Sequence, residues 1–237
     1  MKITTISSSS AGCCYLVESG GEQLLIECGI PLKKIREALK HDLSRVVGCL
    51  VSHEHGDHCK ALPEIDKMTQ ITFYGPRSIN KEAPIYQGYP QQYYRWQPTP
   101  VEITLGAGNA FRLRAIKLTH DVECFGYVVS YCYTDSLLFY ASDTGELPYR
   151  IKGLTHLMIE ANYDMDILLD SEQNDALRSR IADNHLSIDQ AIEFALRHKD
   201  TLQEVHLLHL SDRHSNEADF LKRAQEALGV PVYVAKK

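Results

Sequence analysis

Residues 53–58 read His-Glu-His-Gly-Asp-His, and they follow directly on the apolar run Gly48-Cys49-Leu50-Val51-Ser52. The apolar run predicts a buried strand, so the polar hexad falls on the loop at its carboxyl end. Three imidazoles and two carboxylates in six residues are more than a solvated turn needs, and histidine is the commonest side-chain metal ligand. In extended or turning backbone His53 and His55 can point the same way, while Asp57 and His58 reach a second point nearby. That is the arrangement of a two-metal site, with ions roughly 3.5–4 Å apart.

One loop cannot fill two coordination shells, so further ligands must come from elsewhere. His120 ends the alternating strand Arg112–His120. Asp143 ends the apolar run Ser136–Asp143 and is followed by Thr144-Gly145. His209 sits late in the run Glu204–Ser211. Each is a metal-ligand type at the carboxyl end of a predicted strand. His156 begins a strand instead of ending one. His206 and His209, three apart, project from opposite faces of a strand, so only one of them can serve.

The remaining periodicities place strands at KITTI, CYLVE, QLLIE, ITFYG, AFRLRAIKL, FGYVVSY, HLMIE and PVYVA. Helices are predicted over 31–40, 61–68, 175–182, 187–197 and 217–228, the last stopped by Gly229. Residues 77–100, with Tyr86, Tyr89, Tyr93, Tyr94, Trp96 and four prolines, break the rhythm and read as an irregular segment, either packed over a core edge or walling a substrate cleft. Strands then helices, twice over, predict an α+β architecture in which two sheets pack face to face with helices outside.

Composition narrows the functional classes. With 44% hydrophobic and 24% charged residues, a single globular domain over 1–237 is expected, able to bury a core without staples. A net charge of −6 argues against a basic nucleic-acid coat protein but leaves room for an enzyme with a local basic groove. No stretch reaches the roughly 18 apolar residues of a membrane span. The opening MKITTISSSSAGCC has no apolar core of a signal peptide. The seven cysteines form no CxxC pair, so reduced thiols and a cytoplasmic setting are expected.

The hexad, the later His120, an Asp in an Ala-Ser-Asp-Thr-Gly strand end and a final His-Leu-Ser together resemble the metallo-β-lactamase superfamily over nearly the whole chain. The opening SSSSAGCCYLVE, the segment Asn184-His185-Leu186-Ser187 and the stretch Glu160-Ala161-Asn162-Tyr163-Asp164 are similar to segments of its small bacterial exonuclease and phosphodiesterase-like members. The resemblance implies a four-layer αβ/βα sandwich. It implies that His53, His55 and His120 hold one metal, that Asp57, His58 and His209 hold a second, and that Asp143 bridges them. Two divalent ions follow, zinc first and manganese as the alternative, with His185 beside them to touch a phosphate or leaving group. The implied reaction is hydrolysis of a phosphodiester, with DNA or RNA as candidate substrates. Other hydrolases of the same fold, acting on a thioester, lactone or β-lactam, and a non-catalytic metal-bearing scaffold are the competing readings. The chain departs from the family pattern at three places: Glu27 stands for a buttressing Asp, Cys13 for an Asn and Asn184 for a Gly.

Overall fold

Gly20 and Gly21 both take positive φ, 58° and 84°, the backbone that a two-residue hairpin turn requires. They join the second and third strands of a computed structural model that describes residues 1–80, 96–98 and 102–235, with backbone alone at 80 and 96–98. The elements run β1 (Lys2–Ser7), β2 (Cys14–Ser19), β3 (Glu22–Ile26), α1 (Leu32–Ala38), β4 (Val46–Leu50), α2 (Gly56–Cys59), α3 (Leu62–Met68), β5 (Phe73–Gly75), β6 (Trp96–Pro98), β7 (Glu102–Leu105), β8 (Phe111–Leu118) and β9 (Cys124–Tyr131). They continue with β10 (Leu137–Ala141), β11 (His156–Glu160), α4 (Met165–Asp170), α5 (Asp175–Asn184), α6 (Ile188–Leu196), β12 (Glu204–Leu208), α7 (Glu217–Leu228) and β13 (Val232–Val234).

Among the described residues these strands form two sheets, ordered β1-β2-β3-β4-β5-β6 and β13-β12-β11-β10-β9-β8-β7. An apolar layer that includes Tyr15, Leu24, Leu50, Phe111, Tyr127, Leu138 and Met158 lies between them. A second layer packs the first sheet against Leu32, Ile35, Leu62 and Ile65 of α1 and α3. A third packs the other sheet against Ile188, Phe194, Phe220 and Leu228 of α6 and α7. Helix, sheet, sheet, helix is the four-layer αβ/βα sandwich, as the strand and helix order predicts.

Local chemistry sets the helix ends. Ser187 and Gln190 form a reciprocal capping box at the start of α6. Gly229, at φ 68°, ends α7 in the left-handed conformation. Four of these elements are absent from the sequence reading: α2, β6, β7 and α4, with β6 falling inside the stretch read as irregular. Helix α2 is the important one, because it carries Asp57 and His58, so these two project from a helical turn and not from extended chain. Tyr86, Tyr89, Tyr93 and Tyr94 lie outside the described residues, and Trp96 begins β6.

Topology positions the site. Strands β10, β11 and β12 run parallel, as do β3, β4 and β5, so within each sheet their carboxyl ends share one edge. At that edge the sheets are tied together: Phe125 N–H donates to the Ser52 carbonyl (3.0 Å), Tyr127 Oη to the Val51 carbonyl (2.7 Å) and Tyr140 Oη to Glu27 Oε1 (2.9 Å).

Candidate metal centre

The hexad departs from the end of β4 into α2, and two backbone segments, bonded to each other, hold it. Cys13 N–H donates to the Asp57 carbonyl (2.7 Å), Cys28 N–H to the His58 carbonyl (2.8 Å) and Gly29 N–H to the Cys13 carbonyl (2.8 Å). The approach leaves no room for a side chain at Gly29, where a Cβ would lie 1.6 Å from the Asp57 carbonyl oxygen. Beneath the loop sits Glu27, fully buried. Its carboxylate accepts the Ser52 N–H (3.1 and 3.3 Å) and lies 3.5 Å from His58 Nδ1. The longer side chain thus stands where the family's Asp was expected, and its own backbone takes φ 62° to do so.

The structure brings all eight candidate residues to this edge. His53, His55 and His120 form one compact group, with ligand atoms within 4.8 Å of one another. His53 Nε2 and His55 Nδ1 face each other at 3.0 Å, near the roughly 3.3 Å that separates two nitrogens on one tetrahedral ion. Ser52 Oγ meets His53 Nδ1 at 2.8 Å and so leaves Nε2 for the site. Asp57 Oδ2 lies 3.6 Å from His58 Nε2 and 3.7 Å from His209 Nε2. Asp143 connects the two sets: it groups with His53 and His58, and its Oδ2 is 3.2 Å from His58 Nε2. His156 and His206 are elsewhere, both beside Glu204 (3.9 and 3.2 Å).

These imidazoles are poised for something other than protein. Among the described residues, His58 Nε2, His209 Nε2 and both ring nitrogens of His120 are buried without a hydrogen-bond partner. Buried polar atoms are rarely left so, and each costs about 1–3 kcal/mol when unmet. Nitrogen and carboxylate donors converging on unmet ring nitrogens fit divalent metal, and His53, His55, His120, Asp57, His58, His209 and Asp143 are the residues that could hold it.

Glu160 is the residue whose role the sequence left unassigned. It ends β11, is fully buried, and places Oε1 2.7 Å from His185 Nδ1 and 2.9 Å from His209 Nδ1. Its Oε2 accepts the Leu186 N–H (3.2 Å). Both imidazoles therefore present Nε2 away from Glu160. Asp143, Glu160, His185 and His209 cluster tightly, and within this group Glu160 is engaged by both Nδ1 atoms and so orients the two imidazoles. The nearest sequence signal is the acidic residue at the end of HLMIE, which resembles many strand termini.

Electrostatics follow from this packing in the ion-free chain. Burial opposes ionisation of Asp143, yet His209 and His58 hold its carboxyl well below the usual carboxylate range. Burial, aided by the neighbouring His58, His120 and His55 imidazoles and opposed by Asp143, pushes the His53 imidazole far below its ordinary value, which keeps its lone pair available. Asp143 and His209 also adopt left-handed backbone, φ 54° and 52°.

A cavity of about 350 Å³ opens over the site. His55, Asp57, His120, Asp143, His185 and His209 line its floor, and Leu177, Arg180, Ile181 and Asn184 of α5 form one wall. Arg180 lies 3.4 Å from Asp121 Oδ2, and Asp121 Oδ1 is 3.2 Å from His120 Nε2. No helix among the described residues is long and apolar enough to cross a membrane.

Comparison with known proteins matches this architecture. The Beta-lactamase superfamily domain matches residues 23–209. Ribonuclease Z of Bacillus thuringiensis (strain Al Hakam) is 28% identical over 136 residues, which cover 50% of this chain and 42% of that protein, so the match spans less than half of the relative's length. The metallo-β-lactamase fold protein YhfI from Bacillus subtilis superposes with a TM-score of 0.74 at 18% identity, covering 99% of this chain and 96% of that one. The short form of human tRNase Z superposes with a TM-score of 0.65 at 16% identity, covering 100% and 97%. With the sandwich, the hexad and the family match in agreement, the chain belongs to the metallo-β-lactamase superfamily.

Proposed function

We propose that this protein is a dinuclear metal-dependent phosphodiesterase acting on nucleic acid, with zinc as the preferred ion and manganese as the alternative. The observation that carries the reading is the convergence of seven imidazole and carboxylate side chains on one edge of the sandwich, several with unmet buried nitrogens and five of them (His55, Asp57, His120, Asp143 and His209) lining one cavity. Two divalent cations in such a site supply Lewis acidity toward a phosphoryl oxygen and a nucleophile at neutral pH. The His-rich donor set suits zinc, and the carboxylates admit manganese.

The chain's own residues then divide the work. Asp57 reaches the cavity from α2 and orients the attacking water, accepting its proton at a carboxylate oxygen. His185, with Nδ1 committed to Glu160, offers Nε2 to the departing oxygen. Arg180 stands at the wall as a cation for a flanking phosphate. The ribonuclease Z match favours nucleic acid within the phosphodiester class.

The test is a substrate panel with the metal-loaded protein: single-stranded DNA, RNA, an aryl phosphodiester, thioesters, lactones and a β-lactam. Phosphodiester cleavage that disappears in Asp57→Ala is the expected result. Turnover confined to thioesters, lactones or β-lactams, or full phosphodiester turnover by Asp57→Ala, refutes the reading. Two bound ions with no turnover of any substrate would mark a scaffold instead.

A further inference from the structure

We propose that Cys13 is a thiolate ligand of the second cation, completing with His58 and His209 a soft subsite that selects zinc over manganese. The proposal rests on the reading of His58 and His209 as metal ligands.

Cys13 and Cys14 are consecutive and fully buried, yet they part. Cys14 joins the apolar layer under α1 and α3, while Cys13 faces the interior between the sheets. There its Sγ and the imidazoles of His58 and His209 form one compact group, all three buried and with ligand atoms within 4.8 Å of one another. One ion draws such a trio together at Zn–S about 2.3 Å and Zn–N about 2.0–2.1 Å with a small rotation of the side chains. Both imidazoles keep an Nε2 without a hydrogen-bond partner, so the group has unfilled donor capacity besides the sulfur. The thiol donates to the Ser9 carbonyl (3.5 Å) and also meets the Tyr15 side chain, and both are weak sulfur hydrogen bonds that coordination would replace.

The backbone of Cys13 is fixed as a ligand's must be. Its N–H is bonded to the Asp57 carbonyl and its carbonyl to Gly29 N–H, so the residue moves with the loop that carries Asp57 and His58. On coordination the S–H bond breaks, the proton passes to solvent, and the sulfur lone pair forms the bond to the ion. A soft thiolate favours zinc over the hard manganese ion, whereas a hydroxyl or amide at the same place would not.

The experiment titrates the metal-free full-length protein with Co²⁺, Zn²⁺ and Mn²⁺. With Co²⁺ a sulfur-to-metal charge-transfer absorption in the near ultraviolet is expected in the wild type. Cys13→Ser should lose the band, and its preference for Zn²⁺ over Mn²⁺ should fall by about tenfold or more. Cys124→Ser should keep the band; its Sγ is 3.9 Å from His53 Nδ1 and is the competing source of sulfur. If Cys13→Ser fails to fold, protection of a single thiol from alkylation by bound Zn²⁺, mapped to Cys13 in the wild type, serves in its place. Two ions bound without the band, or a band that follows Cys124, overturns the proposal while leaving the dinuclear reading intact. No uptake of any of the three ions overturns both.

Discussion

The carboxylate of Glu27 and the imidazole of His58 face each other at 3.5 Å with no solvent exposure on either side chain. Glu27 also holds Ser52 and Tyr140, so one residue fixes the loop that carries the hexad and joins it to the opposite sheet. Glu27→Ala should lower metal affinity by about 10–100-fold. It should also destabilise the fold by roughly 1–3 kcal/mol through the unmet Ser52 N–H and Tyr140 hydroxyl. Glu27→Asp, which tolerates left-handed backbone, should recover part of both losses. Calorimetric metal titration and urea unfolding check the pair.

Removal of the His185 imidazole should separate chemistry from metal binding. His185 clusters with Asp143 and His209 but is not one of the seven proposed ligands, and its Nδ1 is held by Glu160 at 2.7 Å. His185→Ala should retain its ion content, measured by elemental analysis, while phosphodiester turnover falls by about 10²–10⁴-fold. A variant that loses ions in proportion to activity would move His185 into the ligand set.

Gly29→Ala should injure the site from outside it. The added Cβ would meet the Asp57 carbonyl carbon at 2.1 Å as well as its oxygen, and both are backbone that cannot swing away. A loss of about 1–3 kcal/mol is expected, together with weakened ion uptake. Wild-type stability and affinity in this variant would show that the loop yields freely.

Acid sensitivity should trace in part to His198, remote from the hexad. Its Nδ1–H donates to the Phe194 carbonyl (2.9 Å) and its Nε2 accepts the Ile151 N–H (2.9 Å), which requires a neutral ring. Burial pushes its pKa below the ordinary value, aided by the Arg150 and Arg197 charges and opposed by the Phe194 carbonyl. Below about pH 6.5 the unfolded chain takes up a proton that the folded chain refuses, so stability is lost as pH falls from there and is unaffected above it. His198→Gln keeps a donor and an acceptor but cannot titrate. Its urea midpoint should vary less between about pH 7.5 and about pH 5.5 than that of the wild type, and equal variation would refute the assignment.

Arg180 should matter for long substrates and little for short ones. Arg180→Ala is expected to raise KM for RNA or single-stranded DNA severalfold and to reduce the salt dependence of binding. The kcat for an aryl phosphodiester should hold. A fall in kcat on the small substrate would place Arg180 at the reacting phosphate.

The hexad is legible in the sequence because its imidazole density has no structural use, and His120, Asp143 and His209 are legible because each closes an apolar run. Glu27 is visible only as a departure, since its role depends on Ser52 and Tyr140, 25 and 113 residues away. Glu160 is hidden for the same reason: an acid at a strand end gains meaning only when two distant imidazoles fold onto it. Helix α2 is four residues long, too short to show a helical period, so the placement of Asp57 and His58 on it could not be read. Cys13 passes as an apolar core residue until His58 and His209 are brought beside it.

Glu27, Asp143 and His209 each turn the chain through left-handed backbone that glycine or asparagine would adopt more comfortably. A search for sturdier variants by relaxing unfavourable dihedrals would include these three positions beside Lys40, His41 and Asn109. At each of the three the comfortable residue removes a carboxylate or an imidazole, so tolerance of heat and grip on the cations should pull in opposite directions there.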